Sequence, residues 1–271
     1  MLAASQDVSF EIGMPKGICA LCHQSRELQC SHVIPNAFFR RIKQRNFGRL
    51  VAIDDSANTP VQYSIDSWSE NLLCSECESH LSTYEKYAVE ILRGTQKTAF
   101  HLHRDGLTFR GVSYEKLKLF FTSLIWRAAV STIAPFAKVT LPDPLKEEAR
   151  ASLLSKNPLS PKKLGCRISQ LFDPTPSSKG GFSDSNIKQL IISPIPRIHG
   201  RYVSFLFVME GYLLEFFVPS IPLRESSQHG VLRNTKILYV PKKNIFEVKE
   251  LVKFMVAGHR KADLGMVTFQ S

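Results

Sequence analysis

Apolar residues recur at helical spacing through the middle of the chain. Leu81, Tyr84, Ala88 and Ile91 follow one another at intervals of three or four residues. This spacing places them on one face of a helix and predicts that residues 75–93 form an amphipathic helix with that face buried. The same periodicity predicts further helices at residues 115–135 and 144–156.

The pattern changes in the last third of the chain. Pro, Ser, Gly and Lys are frequent in residues 157–186, which predicts a loop or linker. Beyond it, strand-like apolar runs occupy residues 187–193, 202–218 and 235–241. The Glu210-Gly211 pair suits a hairpin turn inside the second run, and a capping box between Asn244 and Glu247 predicts a final helix.

These elements predict an α+β protein. We expect an N-terminal unit held together by a metal ion, which is called the metal-stapled unit below and whose ligands are described below. A helical middle and a C-terminal antiparallel sheet with one helix follow it. The division that this implies is 15–94 for the stapled unit, 95–157 for the helical segment, 158–186 for the linker or loop and 187–271 for the C-terminal module.

Composition adds a preference for a polyanionic partner. The chain has 271 residues, of which 44% are hydrophobic and 22% charged, so it can bury a substantial core. Lysine and arginine outnumber aspartate and glutamate by 35 to 24, and the formal net charge is +11. An excess of this sign favours nucleic acid, because cationic side chains neutralise phosphates and release counterions.

Four of the six cysteines form two Cys-x-x-Cys pairs, Cys19/Cys22 and Cys74/Cys77. Each pair lets both sulfurs reach one ion at about 2.3 Å, so together they predict a tetrahedral, structural Zn²⁺ site. The remaining two, Cys30 and Cys166, fit buried and inert thiols. Six cysteines are too few for a disulfide scaffold in a chain of this length, which indicates a reducing, cytoplasmic compartment.

Neither a secretory signal nor a membrane span is expected. The first residues lack a basic segment followed by an apolar one. The apolar stretch 117–137 contains Lys118, Arg127 and Pro135, and it is better explained as a buried helix.

One short segment of the metal-stapled unit carries five basic and no acidic side chains. It covers residues 36–50, where apolar residues alternate with Arg40, Arg41, Lys43, Arg45 and Arg49. We expect a helix whose apolar stripe docks on the core while its basic face contacts DNA phosphates. A basic helix that is merely solvated explains the same pattern.

The motifs of this unit resemble those of the HNH, or ββα-metal, endonuclease superfamily, and of a poorly described bacterial subfamily of it. The matching motifs are C19-A-L-C22, S31-H-V-I-P35 and N71-L-L-C-S-E-C77. The resemblance covers residues 17–94 and implies hydrolysis of DNA phosphodiester bonds. It also suggests a role in defence against foreign DNA.

The resemblance implies a role for each matching residue. His32 would be the general base and Asn71 would orient it or its loop. A catalytic Mg²⁺ or Mn²⁺ would need ligands from the helix after the second cysteine pair. The residue before the base is usually acidic or His in this superfamily but is Ser31 here, so we expect Glu78 and Glu85 to compensate as cation ligands.

Several of these residues have a second explanation. Glu78 also completes a capping box with Ser75, which is a purely structural role. His32 can instead be a structural histidine, hydrogen-bonded within the turn that the metal ion holds in place. His80 is expected to pack or face solvent, and His101 with His103 offers at most an accessory phosphate contact.

Three functional classes therefore follow from the sequence. The first is a metal-dependent HNH endonuclease, with the C-terminal module binding a protein partner or a second copy of the chain. The second is a non-catalytic zinc module that binds nucleic acid or protein. The third is an assembly subunit built around residues 187–256. No membrane partner is expected.

Overall fold

A computed structural model provides the fold of the chain. It describes residues 15–48, 50–52, 61–64, 67–95, 99–200 and 202–269. The architecture of this part is α+β, with one large sheet and two small ones, as the sequence predicts. None of the helices it contains combines the length and apolarity needed to cross a lipid bilayer.

The N-terminal portion holds a small sheet and two helices around the cysteine pairs. Its elements are β1 (Lys16–Ile18), β2 (Ser25–His32), α1 (Asn36–Arg45), β3 (Leu50–Ala52), β4 (Val61–Ser64), β5 (Ser69–Cys74) and α2 (Ser75–Arg93). Strand β2 pairs antiparallel with both β1 and β5. The chain passes directly from β5 into α2, so the end of the sheet and the start of the helix are joined without a loop.

The remainder of the chain builds the large sheet and the helices on either side of it. Its elements are β6 (Phe100–His103), β7 (Gly106–Arg110), α3 (Tyr114–Val130), α4 (Asp143–Ser155), β8 (Gly165–Phe172), α5 (Asp184–Ile187), β9 (Ile192–His199), β10 (Tyr202–Met209), β11 (Tyr212–Val218), α6 (Leu223–Ser226), β12 (Ile237–Asn244), α7 (Lys249–Asp263) and β13 (Val267–Phe269). The large sheet has the order β6-β7-β12-β8-β11-β10-β9, and the second small sheet has the order β13-β4-β3. All neighbours in the large sheet are antiparallel except β12 and β8.

Both faces of the large sheet are covered, which explains the nearly continuous apolar runs of β10 and β11. In β10, Phe205 and Phe207 belong to the main core, whereas Leu206 and Val208 belong to a second core that also contains Leu251 of α7. A strand buried on both faces loses the alternation of apolar and polar residues that marks a half-exposed strand. The sheet is therefore the middle layer of the molecule.

The main core runs without interruption from the cysteine pairs to the large sheet. It contains Leu21 and Leu73 beside the cysteines, most of α3, and Phe216 of β11. The predicted boundary at residue 94 does not separate two cores. Helix α3 causes this continuity, because it is buried on every side between α2 and the sheet.

The predicted loop over residues 158–186 is wrong for its central part. Strand β8 lies there, between β11 and β12 in the large sheet. The polar residues of β8 made the segment look like a loop in the sequence. In the structure Arg167 forms an ion pair with Glu215 of β11, so its charge is compensated within the sheet. The hairpin β6–β7 lies in the segment 95–157, ahead of the two helices predicted there.

Two predicted capping boxes are also wrong. Cys74, rather than Ser75, is the N-cap of α2 and makes no side-chain cap hydrogen bond, which leaves Glu78 without a capping role. Asn244 caps a short 3-10 turn instead of a long helix, and the long helix α7 begins at Lys249. In contrast, α2 ends at Arg93 before a left-handed Gly94, as predicted.

The predicted turn between β10 and β11 is confirmed. Glu210 and Gly211 have φ values of +51° and +80°, the left-handed pair that a two-residue hairpin requires. Gly211 takes this conformation without strain, because it has no Cβ.

Candidate metal centre and the histidine face

The first cysteine pair lies in a tight turn between β1 and β2. The His23 amide donates to the Cys19 carbonyl over 2.8 Å, and the Cys19 amide donates to the Gln24 carbonyl over 3.0 Å. His23 has a left-handed backbone, with φ of +58°. These hydrogen bonds close the turn, so that the Cys19 and Cys22 sulfurs lie in one cluster.

The second cysteine pair lies where β5 becomes α2. Cys74 is the last residue of the strand and Cys77 falls in the first turn of the helix. The Cys74 amide donates to Cys19 Sγ over 3.3 Å, which ties the two pairs together. A backbone amide that donates to a thiolate stabilises its negative charge.

The four sulfurs form one cluster that can hold a metal ion such as zinc. All four Sγ atoms lie within 4.8 Å of one another, and Cys22 Sγ is 3.9 Å from Cys74 Sγ. Zinc–sulfur bonds of about 2.3 Å place the corners of a tetrahedron about 3.8 Å apart. The donor set and its spacing therefore fit a tetrahedral zinc ion, and the predicted grouping of these cysteines is confirmed.

The thiols of the cluster differ in how readily they ionise. Burial opposes ionisation of Cys19, but the amides of Cys22, Cys74 and Leu21 outweigh it and lower its pKa to about 7. Burial raises the pKa of Cys22 and of Cys77, and the neighbouring Cys19 adds to the increase at both. The Cys19 thiolate thus forms easily, and a bound cation would favour loss of the proton from Cys22 and Cys77.

The predicted catalytic pair lies on the outer face of the β2–β5 ladder. His32 faces Ser69 across the ladder and Cys30 faces Asn71, so His32 and Asn71 occupy diagonal positions on one face. His32 is half-buried, and its Nε2 lies 3.0 Å from Ser67 Oγ. Asn71 is exposed. The structure brings the two residues to one surface and assigns Ser67 as a hydrogen-bond partner of the imidazole.

Ser31 has a structural role on the opposite face of the ladder. It is buried, and its Oγ accepts from the Leu73 amide over 3.2 Å and donates to the Gln29 carbonyl over 3.3 Å. These bonds satisfy backbone groups next to the bulge in β2. Its hydroxyl is therefore committed to the ladder and faces away from the His32 surface.

Glu78 and Glu85 lie together on α2, as predicted, and both contact Arg127 of α3. Arg127 Nη1 donates to Glu85 Oε1 over 2.6 Å, and Nη2 lies 3.6 Å from Glu78 Oε2. Nη1 also donates to the His32 carbonyl over 2.6 Å. The guanidinium is 1% exposed, so a buried cation already lies between the two carboxylates.

This buried ion network is not fully satisfied. Glu78 Oε1 and Arg127 Nε and Nη2 have no hydrogen-bond partner in the described part of the chain. Burial raises the pKa of Glu85, Arg127 opposes the increase, and Glu78 adds to it. Within that same part, the cysteine cluster is the one group of histidine, cysteine, aspartate and glutamate with the geometry of a metal site.

The basic residues around α1 fall into two rows. Arg41 forms an ion pair with the buried Glu210, and Arg45 donates to Ser185, so these two side chains dock the helix on the rest of the molecule. Arg40 is exposed and Lys43 is half-buried. Arg49 lies outside the described residues. The surface left for phosphate is thus narrower than the sequence predicts.

Sequence reasoning missed Arg127 and Glu210 as members of buried networks. Arg127 stood out, with Lys118, as a charge inside a largely apolar stretch, which signals a buried partner. Nothing in the sequence identified Glu78 and Glu85 as the partners of Arg127. Glu210 accepts from Arg41 and also from Arg93 Nη2 over 3.2 Å. The sequence did not identify Glu210 as buried, because residues of hairpin turns are usually exposed.

The other histidines take minor positions. His80 Nε2 lies 2.9 Å from the Leu153 carbonyl, and its ring packs edge-on against Tyr84, which is the packing role expected for it. His101 and His103 lie on β6 with their side chains exposed, and His103 Nε2 lies 3.0 Å from Thr108 Oγ1.

Comparison of the chain with protein-family models, with curated proteins and with solved structures found no match. The resemblance to HNH endonucleases therefore stays a prediction from the motifs, and the site must be interpreted from its own geometry.

Proposed function

We propose that this protein is a zinc-stapled module that binds DNA through α1 without hydrolysing it. One observation carries the proposal: Glu78 and Glu85, the carboxylates expected to hold a catalytic cation, already contact the buried Arg127 guanidinium. A divalent cation placed between them would be repelled by a fixed positive charge that cannot lose its proton. Ser31, whose hydroxyl bonds the backbone, supplies no replacement ligand.

The DNA-binding part of the proposal is supported by charge. The whole chain carries a net charge of +11, and α1 has no acidic residue. Arg41 and Arg45 dock on the rest of the molecule, whereas Arg40 is exposed and Lys43 lies half-buried near it on the helix. Contacts of this kind bind phosphates and do not distinguish bases.

A second candidate is the HNH endonuclease itself, and one observation favours it. His32 and Asn71 share the outer face of the β2–β5 ladder, where a phosphodiester can reach the imidazole. The pair matches a general base and its orienting group. In this alternative a divalent cation, Mg²⁺ or Mn²⁺, would bind at this face or displace Arg127 from the carboxylates.

A binding experiment tests the proposed interface. Fluorescence anisotropy with labelled DNA should give an affinity that falls as salt rises, because phosphate contacts release counterions. The double variant Arg40→Gln/Lys43→Gln should bind at least about tenfold more weakly and show a shallower salt dependence. The control Lys162→Gln/Lys179→Gln removes the same charge from exposed positions elsewhere and should bind like the wild type. Equal loss in both variants would contradict an interface at α1.

A cleavage experiment separates the two candidates. Supercoiled plasmid incubated with the protein and Mg²⁺ or Mn²⁺ should remain supercoiled, with wild type and His32→Ala behaving alike. Nicking that is lost in His32→Ala, while zinc content and DNA binding are retained, would establish the endonuclease in place of the binding module.

A further inference from the structure

A phenylalanine projects into solvent at the end of the basic helix. Phe47 is 100% exposed, two residues beyond the end of α1. Its backbone is left-handed, with φ of +50°, which is strained for a bulky side chain. Single exposed apolar residues are common on protein surfaces, so exposure by itself assigns no role. The backbone around Phe47 and the charge beside it distinguish this one.

The turn that presents Phe47 is a helix terminus of defined geometry. The Gly48 amide donates to the Lys43 carbonyl over 2.7 Å, and the Asn46 amide donates to the Ile42 carbonyl over 3.0 Å. In this type of helix end the left-handed position normally belongs to glycine. Here Phe47 takes that position and the glycine follows it, so the strained residue is the aromatic one.

The same turn is fixed to the body of the protein. Asn46 Nδ2 donates to Gln189 Oε1 over 3.3 Å, and Arg45 donates to Ser185 at the start of α5. Phe47 is therefore held out from an anchored turn. A preorganised side chain loses little conformational entropy when a ligand covers it.

The charge around Phe47 identifies the kind of ligand. Arg40 and Gln44 are one helical turn apart on the exposed side of α1, and that row leads toward Phe47. Residues 36–48 contain no acidic side chain. An aromatic ring beside a basic helix face is the arrangement by which proteins bind single strands, with bases stacked on the ring and phosphates on the cations.

We propose that Phe47 is a base-stacking residue and that the protein prefers DNA with unpaired bases over intact duplex. The proposal rests on the DNA-binding function of α1 and adds the class of substrate to it. A flipped or single-stranded base would lie against the Phe47 ring, and its flanking phosphates would lie near Arg40 and Lys43. In an intact duplex the bases stack on one another and offer no free face to the ring.

The test compares two probes of the same length, a single strand and its blunt duplex. Anisotropy titrations at one salt concentration should show tighter binding of the single strand by wild type. Phe47→Ala should weaken single-strand binding about tenfold and leave duplex binding unchanged within about twofold. Phe47→Trp should retain the preference, because it keeps a stacking surface. The matched control Leu223→Ala removes another apolar side chain, 91% exposed, and should change neither affinity.

The outcomes separate this proposal from the one it rests on. If wild type binds both probes and Phe47→Ala binds them equally well, base stacking is overturned while DNA binding by α1 stands. If wild type binds neither probe, both proposals fail. If Phe47 is instead covered by a second copy of the chain, Phe47→Ala will change the sedimentation coefficient and not the DNA affinity, which also overturns the stacking role.

Discussion

Arg127 is the residue whose replacement should cost the most stability. Its guanidinium compensates two half-buried carboxylates, Glu78 and Glu85, and holds the His32 carbonyl. Arg127→Met leaves both acids without a counterion in a buried position, so we expect the free energy of unfolding to fall by about 3–5 kcal/mol. Arg26→Met, which breaks the exposed pair with Glu76, should cost about 0.5 kcal/mol or less. Urea unfolding at pH 7 measures both values.

The pH dependence of that loss checks its cause. Burial already raises the pKa of Glu85 in the wild type, and removing Arg127 takes away the charge that opposes the increase. A folded state that holds protons more tightly than the unfolded state gains stability as pH falls. The deficit of Arg127→Met should therefore shrink between pH 7 and pH 5, and adding Glu85→Gln should recover part of it. A deficit that is constant with pH would mean that lost packing, rather than charge, explains it.

At this scale, residues with local partners could be predicted and those with distant partners could not. The ligand spacing of Cys19/Cys22 and Cys74/Cys77 is written into short motifs, and the structure brings all four together. The contact of Arg127 with α2 joins residues 42 or more positions apart. No local pattern encodes such a pairing, so the fate of Glu78 was undecided until the fold was known.

Among the elements, α7 is linked to the large sheet by an ion pair whose contribution to the free energy of unfolding should vary with pH. Arg197 of β9 donates from Nε and Nη2 to the two oxygens of Glu250, over 2.9 and 2.6 Å. Hydrogen bonding to Arg197 lowers the pKa of Glu250 below its ordinary value. The pair therefore stabilises the fold above that ordinary value, and its contribution disappears as pH falls through the lowered pKa.

The corresponding variant is Glu250→Gln. At pH 7 we expect its free energy of unfolding to be about 1 kcal/mol below the wild type, because the pair is bidentate and partly buried. The difference should shrink as pH falls below the ordinary glutamate pKa and vanish at the acidic pH where the wild-type carboxyl is protonated. Glu247→Gln removes an acid of the same region that is 60% exposed in its pair with Lys243, and it should have little effect at either pH. A loss that persists unchanged at low pH would refute the ion-pair explanation.

Helices and strands that end at a glycine or turn residue, and that bury only one face, could be predicted from the sequence. The end of α2 at Gly94 and the Glu210-Gly211 turn depend on local backbone preferences that the residues themselves express. Strand β8 was missed because its polar residues, such as Arg167, find partners far away along the chain, on β11 and α6. The capping box at Ser75 was wrong because α2 begins directly after Cys74 of the second cysteine pair, and Cys74 is its N-cap.

At the scale of the whole molecule, the continuous core couples the cysteine cluster to the large sheet. Leu21 and Leu73 beside the cysteines belong to the same core as α3 and β11. Loss of the metal should therefore destabilise the entire chain and not the N-terminal portion alone. With a zinc chelator, or in Cys74→Ser, we expect one thermal transition that is lower by about 10 °C or more.

The measurement uses two reporters and a matched variant. Trp68 packs edge-on between Phe39 and Phe136, and Trp126 is buried in α3, so fluorescence and near-ultraviolet circular dichroism follow both regions. Cys30 is exposed rather than buried as predicted, and it lies outside the cluster, so Cys30→Ser should melt like the wild type. A high-temperature transition of the sheet that survives chelation would show that the cores unfold separately.

The order of strands in the large sheet was beyond the reach of the sequence. Strand β12 lies between β7 and β8, parallel to β8, although these partners are far away along the chain. The α+β class follows from the succession of periodicities, whereas this arrangement depends on how the two cores are packed against the two faces. The main core continues across the predicted boundary at residue 94, because α3 packs between α2 and the sheet.

The pairing of β13 with β4 has a consequence for synthesis. Residues 267–269 lie parallel to residues 61–64, and the Val61 amide donates to the Met266 carbonyl. A nascent chain on the ribosome can assemble the cysteine turns early, but the sheet that contains β4 stays incomplete until residues 267–269 have emerged. This small sheet is therefore completed long after its first two strands have been made.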